Sequence, residues 1–409
     1  VIPEITKETT VMTTSQYDPR AAEPAQRWIL FFLLTLILAL IALNGCGGTH
    51  NNSMMQAPMA QPISFAFVSN TGSGTVSAFA MSNSGALSQV SGSPFPSGAG
   101  AEFMAFDNLH KFLFVTNQSS NNISAFAVNT SSGMLARVSG SPFATGATPL
   151  GVAVDSMGRF LFVANQDSNS VSVFSINSSS GALAQVPGSP FSGVSNPFGV
   201  TVSPNGAFLF VSSANATVGT GNTISAFAID STTGSLTQMG SPAATSNPVG
   251  ITSPIGMATD GKFLFVGDHM AEAVVPFSIN ALSGSLTPVS ALPAPGSSCT
   301  SSCHHNPLRL TVDPMDKFVF WTNVQAGTLS AFNINNGALT AIAETPTGQH
   351  PFGLALDPSG TLLYVVNKVD NSISGFSVNP NTGTVTPLSG SPFPEGNNAP
   401  TDIVIVARQ

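Results

Sequence analysis

Residues 295–306, PGSSCTSSCHHN, bring together two of the chain's three cysteines and two of its six histidines. Thiolate and imidazole are ligands for zinc or copper, imidazole is also a general base near neutral pH, and paired cysteines close a disulfide in an oxidising compartment. Spacing weighs these chemistries against one another. Adjacent His304 and His305 cannot readily aim at one ion, and the three residues between Cys299 and Cys303 are few for a zinc finger. A local disulfide between Cys299 and Cys303 is therefore expected. A transition-metal site using Cys303, His304, His305 and His269, or a pair of free thiols, are the alternatives, and no cofactor or resident metal is assigned. Arg309 follows closely, with a planar fork suited to an anionic group; a structural pair with Asp313 or Asp316 is its other role. His269, Arg309 and His350 are the expected ligand-binding residues, and His304, His305 and Arg309 are the candidates for catalysis. No Gly-x-Ser-x-Gly elbow and no Walker-type glycine-rich loop is present.

Something must hold these residues in place, and the sequence says what it is. Residues 151–199 contain four short apolar runs, each closed by Gly, Pro, Asn, Asp or Ser, which reads as a four-stranded meander. The same cassette recurs at Phe65, Phe112, Phe160, Phe208, Phe263, Phe318 and Leu362, at intervals of 47, 48, 48, 55, 55 and 44 residues. Seven units with a period near fifty predict an all-β, seven-bladed β-propeller with four antiparallel strands per blade. The first copy has no apolar run ahead of it, and the last is followed by an extra run at 402–406. The C-terminal strand is thus predicted to pair with the first repeat and close the ring, which removes open sheet edges.

In such a blade the loop leading into the innermost strand and the loop joining the second and third strands leave the same face. That places His269, Cys299, Cys303, His304, His305 and His350 on one face, His110 on the other, and His50 ahead of the ring. Phe112, Phe114, Phe126, Phe160, Phe162 and Phe174 recur at equivalent positions and are read as packing between blades. Asn117, Asn165, Asn323 and Asn367 each close a second strand and are read as turn residues.

Residues 1–45 stand outside the repeat. Arg20 and Arg27 precede an apolar run at 28–43, short for a membrane-spanning helix of about 20 residues and suited to the core of a signal peptide. Leu43-Asn44-Gly45-Cys46 at its end resembles the lipobox of bacterial lipoproteins. That resemblance implies cleavage before Cys46, acylation of its thiol, and, with Gly47 rather than Asp next, an outer-membrane address on the periplasmic or cell-surface side. The expected domains are a removed signal peptide at 1–45, a tether at 46–62 and the propeller at 63–409. Charged residues make up only 7% of the chain and its net charge is −8, so Ser, Thr, Asn and Gly must carry the surface. The balance argues against nucleic acid, which demands clustered Lys and Arg. The expected partners are the membrane through the lipid anchor and either a small polar ligand or a surface protein, with the chain itself a monomer.

Phe114-Val115-Thr116-Asn117, Phe162-Val163-Ala164-Asn165 and Tyr364-Val365-Val366-Asn367 resemble the Tyr-Val-Thr-Asn motif of propeller repeats. The larger cassette, Pro-x-Gly-Val-Ala-Val-Asp followed by Gly-Arg/Lys-Phe-Leu-Phe-Val, is similar to the seven-bladed lactonase family that includes 6-phosphogluconolactonase-type propellers. Ser-Gly-Ser-Pro-Phe at 91–95, 139–143 and 389–393 extends the likeness. The resemblance implies lactone-ring opening by His, Arg and Glu at the channel mouth, yet the matching positions are only partly filled. His350-Pro351-Phe352 has Phe where a second His would stand, Asn306-Pro307-Leu308-Arg309 shifts its Arg by one place, and Val324 or Lys368 stands where a Glu is sought. Binding of a small polar ligand or a partner on the histidine-bearing face is the favoured expectation, sugar-lactone hydrolysis the alternative, and a structural metal loop the third.

Overall fold

The strands are apolar in unbroken runs because each blade is covered on both faces by its neighbours. Phe112–Asn117, Phe160–Asn165, Phe208–Ser213, Phe318–Asn323 and Leu362–Asn367 are buried at every position, where a strand with one wet face would alternate. These runs are the second strands of blades two, three, four, six and seven in a computed structural model that describes residues 63–214, 223–244, 254–269, 273–289, 306–396 and 398–409.

Blade three shows the plan: Pro149–Val154 innermost, then Phe160–Asn165, Ser170–Ile176 and Leu183–Gln185, all antiparallel. Seven such sheets form the predicted propeller. The innermost strands are Ala101–Phe106, Pro149–Val154, Pro197–Val202, Pro254–Thr259, Pro307–Val312, Pro351–Leu356 and Pro400–Ala407, and each lies against the next around the ring. Closure is as expected: Pro400–Ala407 pairs with Ser64–Asn70, from Ser64 opposite Ala407 to Asn70 opposite Pro400. Between each pair of neighbouring blades lies an apolar layer, such as Phe160, Phe162, Val171 and Val173 against Leu209, Val211 and Phe227.

Two local devices shape the loop-bearing end. The first is a bulge near the start of the innermost strands: Pro149 faces Asn165, but the next partners are Val152 and Val163. The third residue of that strand is Gly in four blades, and there the adjoining blade's backbone comes in close. A Cβ on Gly151 would stand 2.6 Å from the Phe198 carbonyl oxygen, and Gly199, Gly256 and Gly353 are crowded in the same way by Ile255, Leu308 and Asp402. The second device corrects the sequence reading. Asn117, Asn165, Asn323 and Asn367 are not left-handed turn formers; they end strands and are fully buried. Each amide nitrogen staples the second strand to the third, as when Asn165 Nδ2 donates to Ser170 Oγ at 3.2 Å and Ser172 Oγ at 2.9 Å. Burial without that pair of bonds would cost about 1–3 kcal/mol per group, which explains the recurring polar residues five and seven places downstream.

Candidate functional site at the channel mouth

The bulge gives each innermost strand two residues at the loop-side end of the channel. Around the ring the second position reads Glu102, Leu150, Phe198, Ile255, Leu308, Phe352 and Thr401, and the third reads Phe103, Gly151, Gly199, Gly256, Arg309, Gly353 and Asp402. The mouth is therefore two-sided. Phe198, Ile255, Leu308 and Phe352 join Ala214 and Val324 in one apolar cluster. The charged residues come from blades two, six and seven and from the closing strand.

Arg309 is the centre of the charged side. One guanidinium nitrogen lies 3.3 Å from Asp402 Oδ2, and the guanidinium carbon sits 3.9 Å from the centroid of the Phe103 ring. The partner is Asp402, not Asp313 or Asp316; Asp313 Oδ1 instead accepts the amides of Lys317 and Phe318, at 2.6 and 2.5 Å. Asp402 also accepts the Met104 amide at 2.9 Å, which links the closing strand to blade two. Burial pushes the Asp402 carboxyl above its ordinary range, and Arg309 offsets part of that.

Glu102, 6% exposed, is the second carboxyl. The single Thr71 hydroxyl proton is shared between two acceptors, Glu102 Oε2 and the Ala101 carbonyl. Burial raises the Glu102 pKa above the ordinary glutamate value; the Thr71 bond and the charges of Lys368 and Arg309 pull it down, and Asp402 pushes it up. The Lys368 ammonium lies 4.7 Å from the Phe352 ring centroid, at the edge of the apolar side. Two carboxyls and two cations thus adjoin the apolar cluster, with Arg309 over Phe103, which packs on Phe198, and Lys368 over Phe352.

Arg309 is the one predicted site residue brought into this cluster by described contacts. His350, with φ 53°, leads into Pro351–Leu356 and lines a cleft of about 430 Å³ with Gln325, Gly327, Thr347, Gln349 and Asp370. The loops of that cleft are the lead-in of blade seven and the second-to-third-strand loops of blades six and seven, so they do share a face. His269 directly follows Phe263–Asp268 and is half-buried. His110 sits in a first-to-second-strand turn, its ring edge-on to Phe106 at 5.3 Å. Cys46, Cys299, Cys303, His304 and His305, with the lipidation, disulfide and catalytic roles assigned to them, lie outside the described residues. Among the described residues no group of three His, Cys, Asp or Glu side chains could hold a metal ion. Sequence reasoning missed Glu102, Asp402 and Thr71, and noted Lys368 only as standing where a glutamate was sought. The signal was there: aligned down the seven copies, Arg309 and Asp402 are the only charged residues in a column otherwise made of glycine and one phenylalanine.

Comparison with known proteins agrees with this architecture. The model of the family described as lactonase, 7-bladed beta-propeller, matches residues 48–145, 140–198, 186–302 and 303–399. A 6-phosphogluconolactonase of Formosa agariphila is 38% identical over 82 residues, which are 19% of this chain and 23% of that protein. Among solved structures, a Bacteroides uniformis propeller superposes with a TM-score of 0.71 at 19% identity, covering 85% of this chain and 100% of the other. The periplasmic gluconolactonase of Pseudomonas aeruginosa superposes with a TM-score of 0.69, also at 19% identity and with coverage of 85% and 100%. At these identities the superpositions establish the shared fold.

Proposed function

Because the chain belongs to the seven-bladed β-propeller lactonase family, we propose that the loop-side mouth of its channel binds a small polyhydroxylated ligand of the sugar-lactone or aldonate class. The observation that carries this reading is the division of the mouth: Phe198, Ile255, Leu308 and Phe352 on one side, Glu102, Asp402, Arg309 and Lys368 on the other. A sugar ring offers C–H faces to aromatic and aliphatic side chains and hydroxyls to carboxylates, while an aldonate adds a negative charge for Lys368. Calorimetric titration with gluconate tests it. Lys368→Met is expected to weaken binding about tenfold, roughly 1.4 kcal/mol, and unchanged affinity would count against the site.

One observation favours a second reading, hydrolysis of the lactone. Glu102 holds its proton more tightly than an ordinary glutamate and sits within the fields of Lys368 and Arg309, the setting of a general base. Glu102 would take a proton from the water attacking the lactone carbonyl. Lys368 would steady the oxyanion, and the ring oxygen would leave as the hydroxyl of the acid after receiving that proton. Turnover of glucono-δ-lactone above the spontaneous rate, abolished in Glu102→Gln, supports this reading; a wild-type rate equal to the spontaneous one leaves binding alone.

The Trp28-containing apolar run and Leu43-Asn44-Gly45-Cys46 support export and lipid anchoring at the outer membrane. Metabolic labelling with a fatty acid is expected to mark the wild type and not Cys46→Ser.

A further inference from the structure

Among the described asparagine staples one is an exception, and it lies at the seam where the ring closes. In the other described staples the Asn side-chain oxygen has its own donor: Ser97 Oγ for Asn117 at 2.8 Å, the Gly146 amide for Asn165 at 3.2 Å, Trp321 Nε1 for Asn323 at 3.0 Å and the Gly348 amide for Asn367 at 3.0 Å. In blade one, Asn70 Nδ2 makes the usual bonds, to Thr75 Oγ1 at 3.2 Å and Ser77 Oγ at 2.9 Å, but its Oδ1 is buried without a partner. The place of Ser97 in Phe95-Pro96-Ser97-Gly98 is taken by Glu395 in Phe393-Pro394-Glu395-Gly396. Glu395 is 3% exposed and accepts from Ser77 Oγ through Oε1 at 2.6 Å, while its Oε2 is also buried and unpartnered. The two side chains meet at Ser77, whose Oγ accepts from Asn70 Nδ2 and donates to Glu395 Oε1.

Asn70 Oδ1 and Glu395 Oε2, on two side chains that share Ser77, are thus buried acceptors without a donor of their own, a deficit that one proton repairs. We propose that Glu395 is a protonated latch at the seam between the seventh and first blades: its Oε2 hydroxyl donates to Asn70 Oδ1, as Ser97 does for Asn117, and ionisation of Glu395 loosens the closure. The groups facing it are neutral. They are Ser77 and Asn70 from the first blade and, on its own side, the Asn371 carbonyl that accepts the Glu395 amide at 3.0 Å. No charged side chain among the described residues pairs with it. Burial raises its pKa above the ordinary glutamate value, and the Ser77 and Asn70 side chains pull part of that rise back. For a carboxyl raised in the folded state, the stabilising contribution is complete below the unfolded value and is lost as pH climbs through the folded one.

Glu395→Gln supplies the missing donor permanently and keeps the acceptor for Ser77. Its melting temperature is expected to match the wild type near pH 4 and to exceed it increasingly toward pH 8, because other titrating groups cancel in the difference. Glu395→Ser, which copies Ser97, is expected to show the same pH trend. Hydrogen exchange in Pro400–Ala407 localises the effect: in the wild type it accelerates as pH rises by more than the intrinsic chemistry demands, and in Glu395→Gln the excess disappears. A difference in melting temperature that stays constant with pH, or an excess exchange that survives in Glu395→Gln, overturns the latch.

Discussion

Replacing Arg309 with Met keeps the length of the side chain and removes its charge, which tests the electrostatic design of the mouth. Removing one partner of a buried ion pair costs roughly 3–5 kcal/mol because the other charge is stranded. Asp402 is nearly inaccessible, at 8% side-chain exposure, but Arg309 retains 22%, so solvent screening lowers the figure. Loss of the contact with Phe103 adds about 0.5–1 kcal/mol, whereas the Met104 amide still serves Asp402. The expected loss is therefore about 2–4 kcal/mol at pH 7, a drop in melting temperature of roughly 3–6 °C for a domain of this size. Without Arg309 the Asp402 carboxyl rises further. A raised carboxyl stabilises when protonated, so the deficit should be largest at neutral pH and shrink as pH falls toward 4. Adding Asp402→Asn removes the stranded charge and should recover about half of the loss, giving a coupling energy of about 1.5 kcal/mol or more in the double-mutant cycle. Calorimetric melting between pH 4 and 8 reads all of this. A pH-independent deficit, or single-variant losses that simply add, would refute the reasoning.

The structural devices make further predictions. Asn165→Ala breaks two buried bonds to Ser170 and Ser172 and one from the Gly146 amide, and should cost about 2–4 kcal/mol in thermal or denaturant unfolding; a cost below 1 kcal/mol would show that the staple is decorative. Gly256→Ala drives a methyl into the Leu308 carbonyl of the adjoining blade and should cost about 1–3 kcal/mol, visible as a lower melting temperature.

The architecture was legible because a blade is a local pattern: four apolar runs between turn residues, repeated seven times, with one run missing at the start and one added at the end. What the pattern hides is chemistry assembled across the ring. Glu102, Arg309 and Asp402 lie on strands from three different blades, and nothing near Asp402 in the chain marks it as the partner of Arg309, 93 positions earlier. The acidic neighbours in sequence, Asp313 and Asp316, were the natural choice, but Asp313 is consumed by capping its own turn. The same limit explains the asparagines. Asn at a strand end suggests a turn, and only the register, which sets Asn165 opposite Ser170, shows it bonding across the pair. Composition drew attention to the cysteine and histidine loop, whereas Glu102, Arg309 and Asp402 sit on the innermost strands.

The most direct test of the account is a crystal structure of the protein soaked with gluconate. Ligand density across the channel mouth is predicted, with hydroxyls on Glu102 or Asp402, the carboxylate toward Lys368 and the carbon chain along Phe198 and Phe352. Gluconate bound instead in the cleft beside His350, with the mouth left to solvent, would contradict it.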